Sequence, residues 1–286
     1  MGLFIKKPLA DLMTEANDSG SKSLKRILGP WSLIALGVGV IIGAGLFSIT
    51  GAVAAGYTGP AITFSFAIAA LGCCFAGLCY AEFASMIPVA GSAYTYSYAT
   101  MGELVAWIIG WDLVLEYCVA ATTVSISWSR YLVVFLEGFG VHLPQALTAC
   151  PWDGGIVNIP AFVIVVLMSI LLIRGTEGSS IFNGIIVFLK VSVVLVFVVL
   201  GWKYIRMENY TPYIPTNTGT LGEFGFSGIL RGAAIVFFAF LGFDAVSTAA
   251  QETKNPKRDM PIGILMSLVV CTILYLSLIH ISEPTR

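Results

Sequence analysis

The sequence predicts an all-α, polytopic membrane protein, and two observations support that prediction. Of the 286 residues, 57% are hydrophobic and 11% are charged, whereas soluble domains have about 25% charged residues. The apolar residues form seven long stretches, each near or above the ~20 residues that a helix needs to cross the hydrocarbon core. These stretches lack the alternation of apolar and polar residues that is typical of barrel strands. The expected membrane-spanning elements are therefore helices.

Each predicted element follows from this pattern. Residues 1–30 are polar and form an N-terminal segment without the short apolar core of a signal peptide. The polar stretch 203–226 is an external loop, which divides five spans within 31–202 from two spans within 227–275. The spans themselves are placed at about 31–55, 60–86, 103–136, 158–174, 181–202, 227–250 and 261 onward.

Lysine and arginine are distributed unevenly between the two sides of the predicted helices. Nine lie in the N-terminal segment and in the loops after the fourth and sixth spans, against only Lys203 and Arg206 on the opposite side. Positive charges in short loops accumulate on the cytoplasmic side. We therefore expect a multi-pass protein of the plasma membrane with a cytoplasmic N-terminus. Residues 91–101 are too polar to span, and a re-entrant or surface helix is expected there on the cytoplasmic side.

The last residues, 276–286, read LSLIHISEPTR and resemble the in-frame translation of a sequencing adapter. On that interpretation the natural sequence stops near Tyr275 and the remainder is a non-native tail. The seventh span would then keep about 15 residues, or ~22 Å, less than the ~30 Å of the hydrocarbon core. A genuine short polar C-terminus is the alternative. We expect a truncated chain, and we assign His280 no functional role.

The first span contains the glycine-rich sequence GVGVIIGAGLF. Each internal glycine lowers helix stability by about 1 kcal/mol relative to alanine. The spacing of Gly39 and Gly43 is compatible with close packing against another helix. The second interpretation, which the pair Gly43 and Gly45 favours, is local unwinding where the backbone lines a cavity. The N–H groups that begin the next half-helix would then attract a carboxylate.

The sixth span, IVFFAFLGFDAVSTAAQE, shows a similar interruption. Gly242 falls in the middle of a phenylalanine-rich helix and Asp244 follows it. An aspartate at that depth normally faces the interior of the bundle. Carbonyl groups released at a break could receive an ammonium group. The alternative is a packing face on which a neighbouring hydroxyl hydrogen-bonds to Asp244.

The charge asymmetry directs the first span outward and the sixth span inward. Oppositely directed interrupted helices at these two positions are the pattern of a five-plus-five inverted repeat. Such a pair can hold a zwitterion, because one break offers N–H groups to a carboxylate and the other offers carbonyls to an ammonium group. This pairing predicts a binding site for an amino acid.

Two further charged residues lie within predicted spans. Lys190 stands deep in the fifth span, where its ammonium group loses hydration, so proton exchange near neutral pH becomes feasible. It is a candidate for proton coupling; a structural lysine bonded to unwound carbonyls is the alternative, and both roles can coexist. Glu116, one turn after Asp112 in the third span, is a candidate for contact with substrate or proton, or for a purely structural role.

Other classes of function lack support. A net charge of −1 supplies no cationic face for a nucleic acid. His142 is the only histidine before the tail, there is no HExxH motif, and the six cysteines form no CxxC pair. We expect no enzymatic activity, no cofactor and no metal site.

These residues together resemble a known family. The stretches GVGVIIGAGLF, PVAGSAYTYSY, FFAFLGFDAVSTAAQE and NPKRDMPIGI, together with Lys190, are similar to amino-acid permeases of the amino acid–polyamine–organocation superfamily, in the bacterial branch that is like cationic amino acid transporters. The resemblance covers about residues 24–275. Family members have twelve or more spans, so the second repeat of this chain would be incomplete.

The resemblance implies roles for individual positions. It implies that Lys190 couples transport to protons and that side chains in the pocket set selectivity. Glu116 and Asp244 are candidate pocket residues that would attract a cationic side chain or serve only the structure. It also implies an aromatic gate at Phe238. Backbone groups for the substrate carboxylate would come from the first break, at Ile41, Gly43, Ala44 and Gly45. Carbonyls for the amino group would come from the break in the sixth span, at Phe238, Ala239 and Leu241.

The implied activity is secondary active import of amino acids across the plasma membrane, with protons as the coupling ion. The partners would be the amino acid, the proton and the lipid bilayer, with no nucleic acid. An amino-acid or polyamine exchanger on the same fold and a non-transporting amino-acid sensor are the alternatives. The sequence leaves open whether the substrate is neutral or cationic, and it makes no prediction of oligomeric state.

Overall fold

The computed structural model describes residues 5–17, 26–173, 176–205 and 210–282. Within these ranges the chain is helical, and its extended pairing is a single bridge between Leu28 and Thr253. The α-helices are α1 Leu9–Asn17, α2 Pro30–Ile41, α3 Thr50–Val53, α4 Ile62–Met86, α5 Ser92–Thr100, α6 Glu103–Glu137, α7 Ile159–Ile173, α8 Thr176–Gly201, α9 Gly225–Val236 and α10 Pro256–Ser282. This architecture confirms the predicted all-α fold.

Short helical segments of other types join these helices. Two are π-helical and lie on either side of α3, namely Gly45–Ile49 and Ala54–Thr58. The others are 3₁₀-helical: Gly59–Ala61, Gln145–Leu147, Pro151–Asp153, Trp202–Tyr204, Phe237–Phe240 and Asp244–Glu252.

Five segments of the described chain are long and apolar enough to cross a membrane. They are Pro30–Met86, Glu103–Glu137, Gly184–Gly201, Gly225–Glu252 and Pro256–Ile281. The first has 57 residues, enough for two crossings, and a turn at Gly59, where φ is +57°, separates its halves. With the shorter apolar helix α7, the seven predicted spans are all helical. The chain is a multi-pass membrane protein.

The connection between the second and third spans contains α5, as expected for residues 91–101. Its nine residues are too few to cross the hydrocarbon core. Backbone hydrogen bonds from Lys7 N to Tyr98 O and from Glu103 N to Ile5 O attach the start of the described chain to the C-terminal part of α5 and to the first residue of α6. The N-terminal segment therefore packs on α5.

The chain forms two compact units, Trp111–Ile185 and the remainder on either side of it. The core of the larger unit is built from α2, α4, α9 and α10. Small residues let these helices approach closely, because a Cβ at Gly77 would lie 2.8 Å from a methyl group of Leu268 on α10. The smaller unit holds most of α6, the loop that follows it, and α7.

The two interrupted spans run antiparallel and are joined at both ends. At one end Ile27 N and Leu28 N donate to Glu252 O, and Lys254 N donates to Leu28 O, each over 2.9 Å. At the other end Phe224 N donates to Tyr57 O over 2.7 Å. The start of the first span thus meets the end of the sixth, and the end of the first span meets the start of the sixth, as the inverted pattern predicts.

The packing predicts that Gly45 tolerates no side chain. A Cβ there would lie 2.8 Å from Ala239 Cβ and 2.9 Å from Ala239 N, closer than atoms pack without displacement. Gly45→Ala should therefore destabilise the fold by about 1–3 kcal/mol, as overpacking does. Gly51→Ala is the matched control, because no atom lies within 4 Å of its added Cβ. Thermal unfolding of the purified variants measures both, and an equal midpoint for the two would contradict the prediction.

Candidate functional site

The first span is broken directly after α2. Ile42 adopts an extended conformation (φ −72°, ψ 105°), and its N–H makes the last backbone hydrogen bond of the helix, to Val38 O at 3.1 Å. The chain re-enters a helix, now with π geometry, at Gly45. The unwound residues lie within GVGVIIGAGLF, where the glycine pattern predicts them.

Side chains from two other helices meet the carbonyls at the end of α2. Lys190 Nζ, on α8, donates to Ile42 O at 2.8 Å and also to Gly39 O. Tyr275 Oη, on α10, donates to Ile41 O at 2.9 Å. The last carbonyls of a helix have no partner within the helix, and a cation beside them is favourable. Lys190 therefore has the contacts of the structural alternative, and proton exchange at its ammonium group stays a prediction.

The sixth span breaks at Leu241 and Gly242. Leu241 is extended (φ −55°, ψ 140°), and Gly242 has φ +100°, a conformation that L side chains rarely adopt. A Cβ at Gly242 would also meet a methyl group of Val40 at 2.5 Å. Both conformation and space therefore favour glycine at this position, which the sequence marks as the break.

The two breaks lie against each other. Gly45, which follows the first break, packs on the backbone of Ala239, which precedes the second. Tyr275 Oη also lies 2.9 Å from Ala239 O, so one phenol contacts a carbonyl at each break. Backbone segments from the two breaks thus converge with the Tyr275 phenol within one small region of the larger unit.

The predicted site residues divide into two groups by exposure. Gly43, Ala44, Phe238 and Leu241 are half-buried and keep surface that a small molecule can reach. The others are packed inside: Ile41, Gly45 and Ala239 are buried. A Cβ added at Gly43 would have only one neighbour, its closest atom being Ile41 O at 4.0 Å. The first break therefore has open space at Gly43 and close packing at Gly45.

Asp244 begins the 3₁₀ helix that follows the second break, and its side chain is buried. Ser92 Oγ, at the start of α5, donates to Asp244 Oδ2 at 3.4 Å. A carboxylate is favourable near a helix N-terminus. The structure thus has the arrangement of the alternative interpretation, in which a neighbouring hydroxyl bonds to Asp244 and the residue attaches α5 to the sixth span.

Glu116 lies on α6 within the smaller unit and is half-buried. Asp112, one turn earlier, is exposed. The predicted contact of Glu116 with substrate or proton stays a prediction.

Tyr275 is the residue that sequence reasoning missed. Its side chain is completely buried, with ring centroids 5.8 Å from Phe66 and 5.3 Å from Phe240. A buried tyrosine hydroxyl requires a hydrogen-bond partner. A tyrosine in the middle of the seventh span therefore signalled a polar neighbour, although the sequence did not reveal which one.

The arrangement presents main-chain groups of opposite polarity side by side. The N–H groups that open the segment after Ile42 lack helical partners and carry positive partial charge. Carbonyls at residues 238–241 carry the opposite polarity. The two sets of partial charges complement the two charged ends of a small zwitterion.

Comparison with known proteins identifies the family of the chain. The profile of the family described as "Amino acid permease" matches residues 28–281. The chain is 52% identical over 279 residues to the branched-chain amino acid permease BcaP of Bacillus subtilis, covering 96% of this chain and 58% of the relative. It is 47% identical to the methylthioribose transporter of the same organism, again covering 96% and 58%.

A plant relative extends the comparison. The chloroplastic cationic amino acid transporter 9 of Arabidopsis thaliana is 39% identical over 280 residues, which cover 94% of this chain and 47% of the relative. The chain spans about half the length of the curated relatives that it matches. All three relatives are named as transporters or permeases and none as an enzyme, in agreement with the sequence prediction. The profile match covers most of the chain, and we conclude that the chain belongs to the amino acid permease family.

Proposed function

We propose that the full-length protein containing this chain is a secondary active transporter that imports α-amino acids by proton symport. The observation that carries the proposal is the contact between the two helix breaks. The free N–H groups after Ile42 suit a carboxylate, and the carbonyls around Phe238 suit an ammonium group. The half-buried Gly43, Ala44, Phe238 and Leu241 would be the surface that the substrate touches.

We propose a neutral, aliphatic side chain for the substrate. The carboxylate of Asp244 is buried and accepts a hydrogen bond from Ser92, so it is engaged in the fold and does not serve a cationic side chain. Phe238 and Leu241 supply apolar surface at the same break. The name of the Bacillus subtilis relative at 52% identity, a branched-chain amino acid permease, supports this choice.

The relative named for methylthioribose supplies a competing substrate class. Methylthioribose is a neutral sugar derivative without a carboxylate or an ammonium group, so its hydroxyl groups can hydrogen-bond at the breaks but bring no charge to the two polarities. We therefore expect leucine to bind and methylthioribose not to compete with it. Binding without flux would indicate a sensor, and uptake that ignores an imposed pH gradient would indicate an exchanger.

The proposed orientation places the N-terminus and the Leu28–Thr253 bridge on the cytoplasmic side of the plasma membrane. Transport then requires access to the breaks from one side at a time. Because backbone hydrogen bonds join the first and sixth spans at both ends and Tyr275 joins them at the breaks, we propose that the two spans move together.

Gly43→Leu tests the site at the first break. The position has room for a side chain, so the variant should insert and unfold like the parent. The leucine side chain would occupy the space proposed for the substrate carboxylate, and leucine binding should fall by at least tenfold, about 1.4 kcal/mol. A direct binding assay on the purified full-length protein measures this. Unchanged affinity would show that the break is not the site.

Lys190→Ala tests proton coupling. If Lys190 carries the coupled proton, pH-driven accumulation of leucine should be lost while exchange of internal for external leucine continues. Tyr275→Phe is the control, because it removes the other donor to the end of α2 without removing a titratable cation. That variant should lose stability and keep its response to the pH gradient. Loss of exchange as well in Lys190→Ala would indicate a purely structural lysine, and unchanged accumulation would rule out coupling at this residue.

A disulfide between positions 28 and 253 tests whether the two spans move together. Paired extended backbones lie about 4.7–4.9 Å apart, within the ~4.4–6.8 Å between Cα atoms that a disulfide spans. Leu28→Cys with Thr253→Cys should crosslink on oxidation and retain leucine transport in the full-length protein. Each single cysteine variant is a control. Transport that stops on oxidation and returns with a reductant would show that these ends must separate.

A further inference from the structure

The loop between α6 and α7 exposes large apolar side chains. Trp152 is 96% exposed, Ile156 is 75% exposed and Phe139 is 72% exposed. All three belong to residues 138–158, within the smaller compact unit. A contiguous group of exposed apolar side chains marks an interaction surface.

The exposure of these three side chains is a feature of an ordered loop, because hydrogen bonds within the loop define its backbone conformation. Ile156 N and Val157 N both donate to Ala146 O, at 2.9 and 3.1 Å. Gln145 Nε2 donates to Asp153 O at 2.8 Å. The loop therefore has a defined conformation that directs its apolar side chains outward.

Two contacts attach this loop to α6. Arg130 Nη2 donates to Asp153 Oδ2 at 3.3 Å. Ser129 Oγ donates to Asn158 Oδ1 at 2.6 Å, and the same oxygen accepts from Ala161 N in the first turn of α7. The position of the loop along the α6–α7 hairpin is thereby fixed.

An ion pair and the length of α7 place the loop at the edge of the hydrocarbon core. The side chains of Arg130 and Asp153 are 71% and 55% exposed, and charged groups are costly inside hydrocarbon, so this pair lies at or beyond the edge of the core. α7, which begins directly after Asn158, has 15 residues, or ~22 Å, less than the ~30 Å of the core. The loop therefore lies close to that boundary.

We infer that residues 138–158 form an interfacial anchor, in which Trp152, Ile156 and Phe139 enter the headgroup and upper acyl region of the adjacent leaflet. Tryptophan is enriched at that depth because its ring is apolar and its indole N–H remains hydrogen-bonded. The loop contains one acidic residue, Asp153, and no lysine or arginine. The anchor therefore needs no anionic lipid, and zwitterionic phospholipid is sufficient.

A depth measurement on the full-length protein tests this anchor. Trp152→Cys is labelled with an environment-sensitive fluorophore in a background without native cysteines, in which Cys150→Ser keeps a donor for Asp153. Thr220→Cys, at an exposed position of a polar loop, is the matched control. In phosphatidylcholine vesicles, phospholipids brominated near the glycerol backbone should quench the label at 152 several-fold more than the label at 220. Aqueous iodide should show the opposite order.

Three outcomes would overturn the inference. Equal iodide quenching at positions 152 and 220 would place the loop in water. Protection of the label at 152 from both iodide and brominated lipid would show that protein covers it, either another part of the full-length chain or a second copy. Lipid quenching that appears only when phosphatidylglycerol is added would show that anionic headgroups, and not the apolar side chains, hold the loop.

Discussion

The structure depends on how the carbonyl groups at the end of α2 are satisfied. A helix interrupted inside a membrane releases backbone groups that lipid cannot hydrogen-bond, so other protein groups must meet them. Lys190 and Tyr275 do so from two separate helices, α8 and α10. Both contacts end on the same turn, so α8 and α10 each have a polar side chain at the depth of the break. The break is therefore stabilised by groups from two other helices of the larger unit.

Main-chain groups, rather than side chains, form most of the candidate site. Under the proposed function, backbone polarity would recognise what all α-amino acids share, the carboxylate and the ammonium group, and would leave the side chain of the substrate to other residues. Close packing of Gly45 on Ala239 keeps the two polarities a short distance apart. A site of this kind would suit relatives that are named for different amino acids, since the substrate side chain would be met by other residues, such as Phe238 and Leu241.

Local features of the sequence predicted the breaks, but the sequence did not predict the contacts between residues that are distant along the chain. Glycine is conspicuous inside an apolar helix, so Gly43 and Gly242 identified the interruptions, and the depth of Lys190 identified an unusual cation. The bond from Tyr275 to two carbonyls, the bridge from Leu28 to Thr253 and the bond from Ser92 to Asp244 join residues that are distant in sequence. Nothing in one chain's periodicity specifies such partners. Buried polar residues in apolar helices indicate that a partner exists, without indicating which residue it is.

Tyr275 connects the two halves of the candidate site, because its single hydroxyl hydrogen is shared between two carbonyl groups. A phenol has one hydrogen to donate, yet two carbonyl oxygens, Ile41 O and Ala239 O, lie 2.9 Å from its oxygen. At any instant one of the two carbonyls is without that hydrogen. An ammonium group that reaches Ala239 O supplies the missing donor there, and the phenol is then wholly available to Ile41 O at the first break. Under the proposed function, occupation of one break would thus strengthen the hydrogen bonding of the other, and the pair would respond to a ligand as a single element.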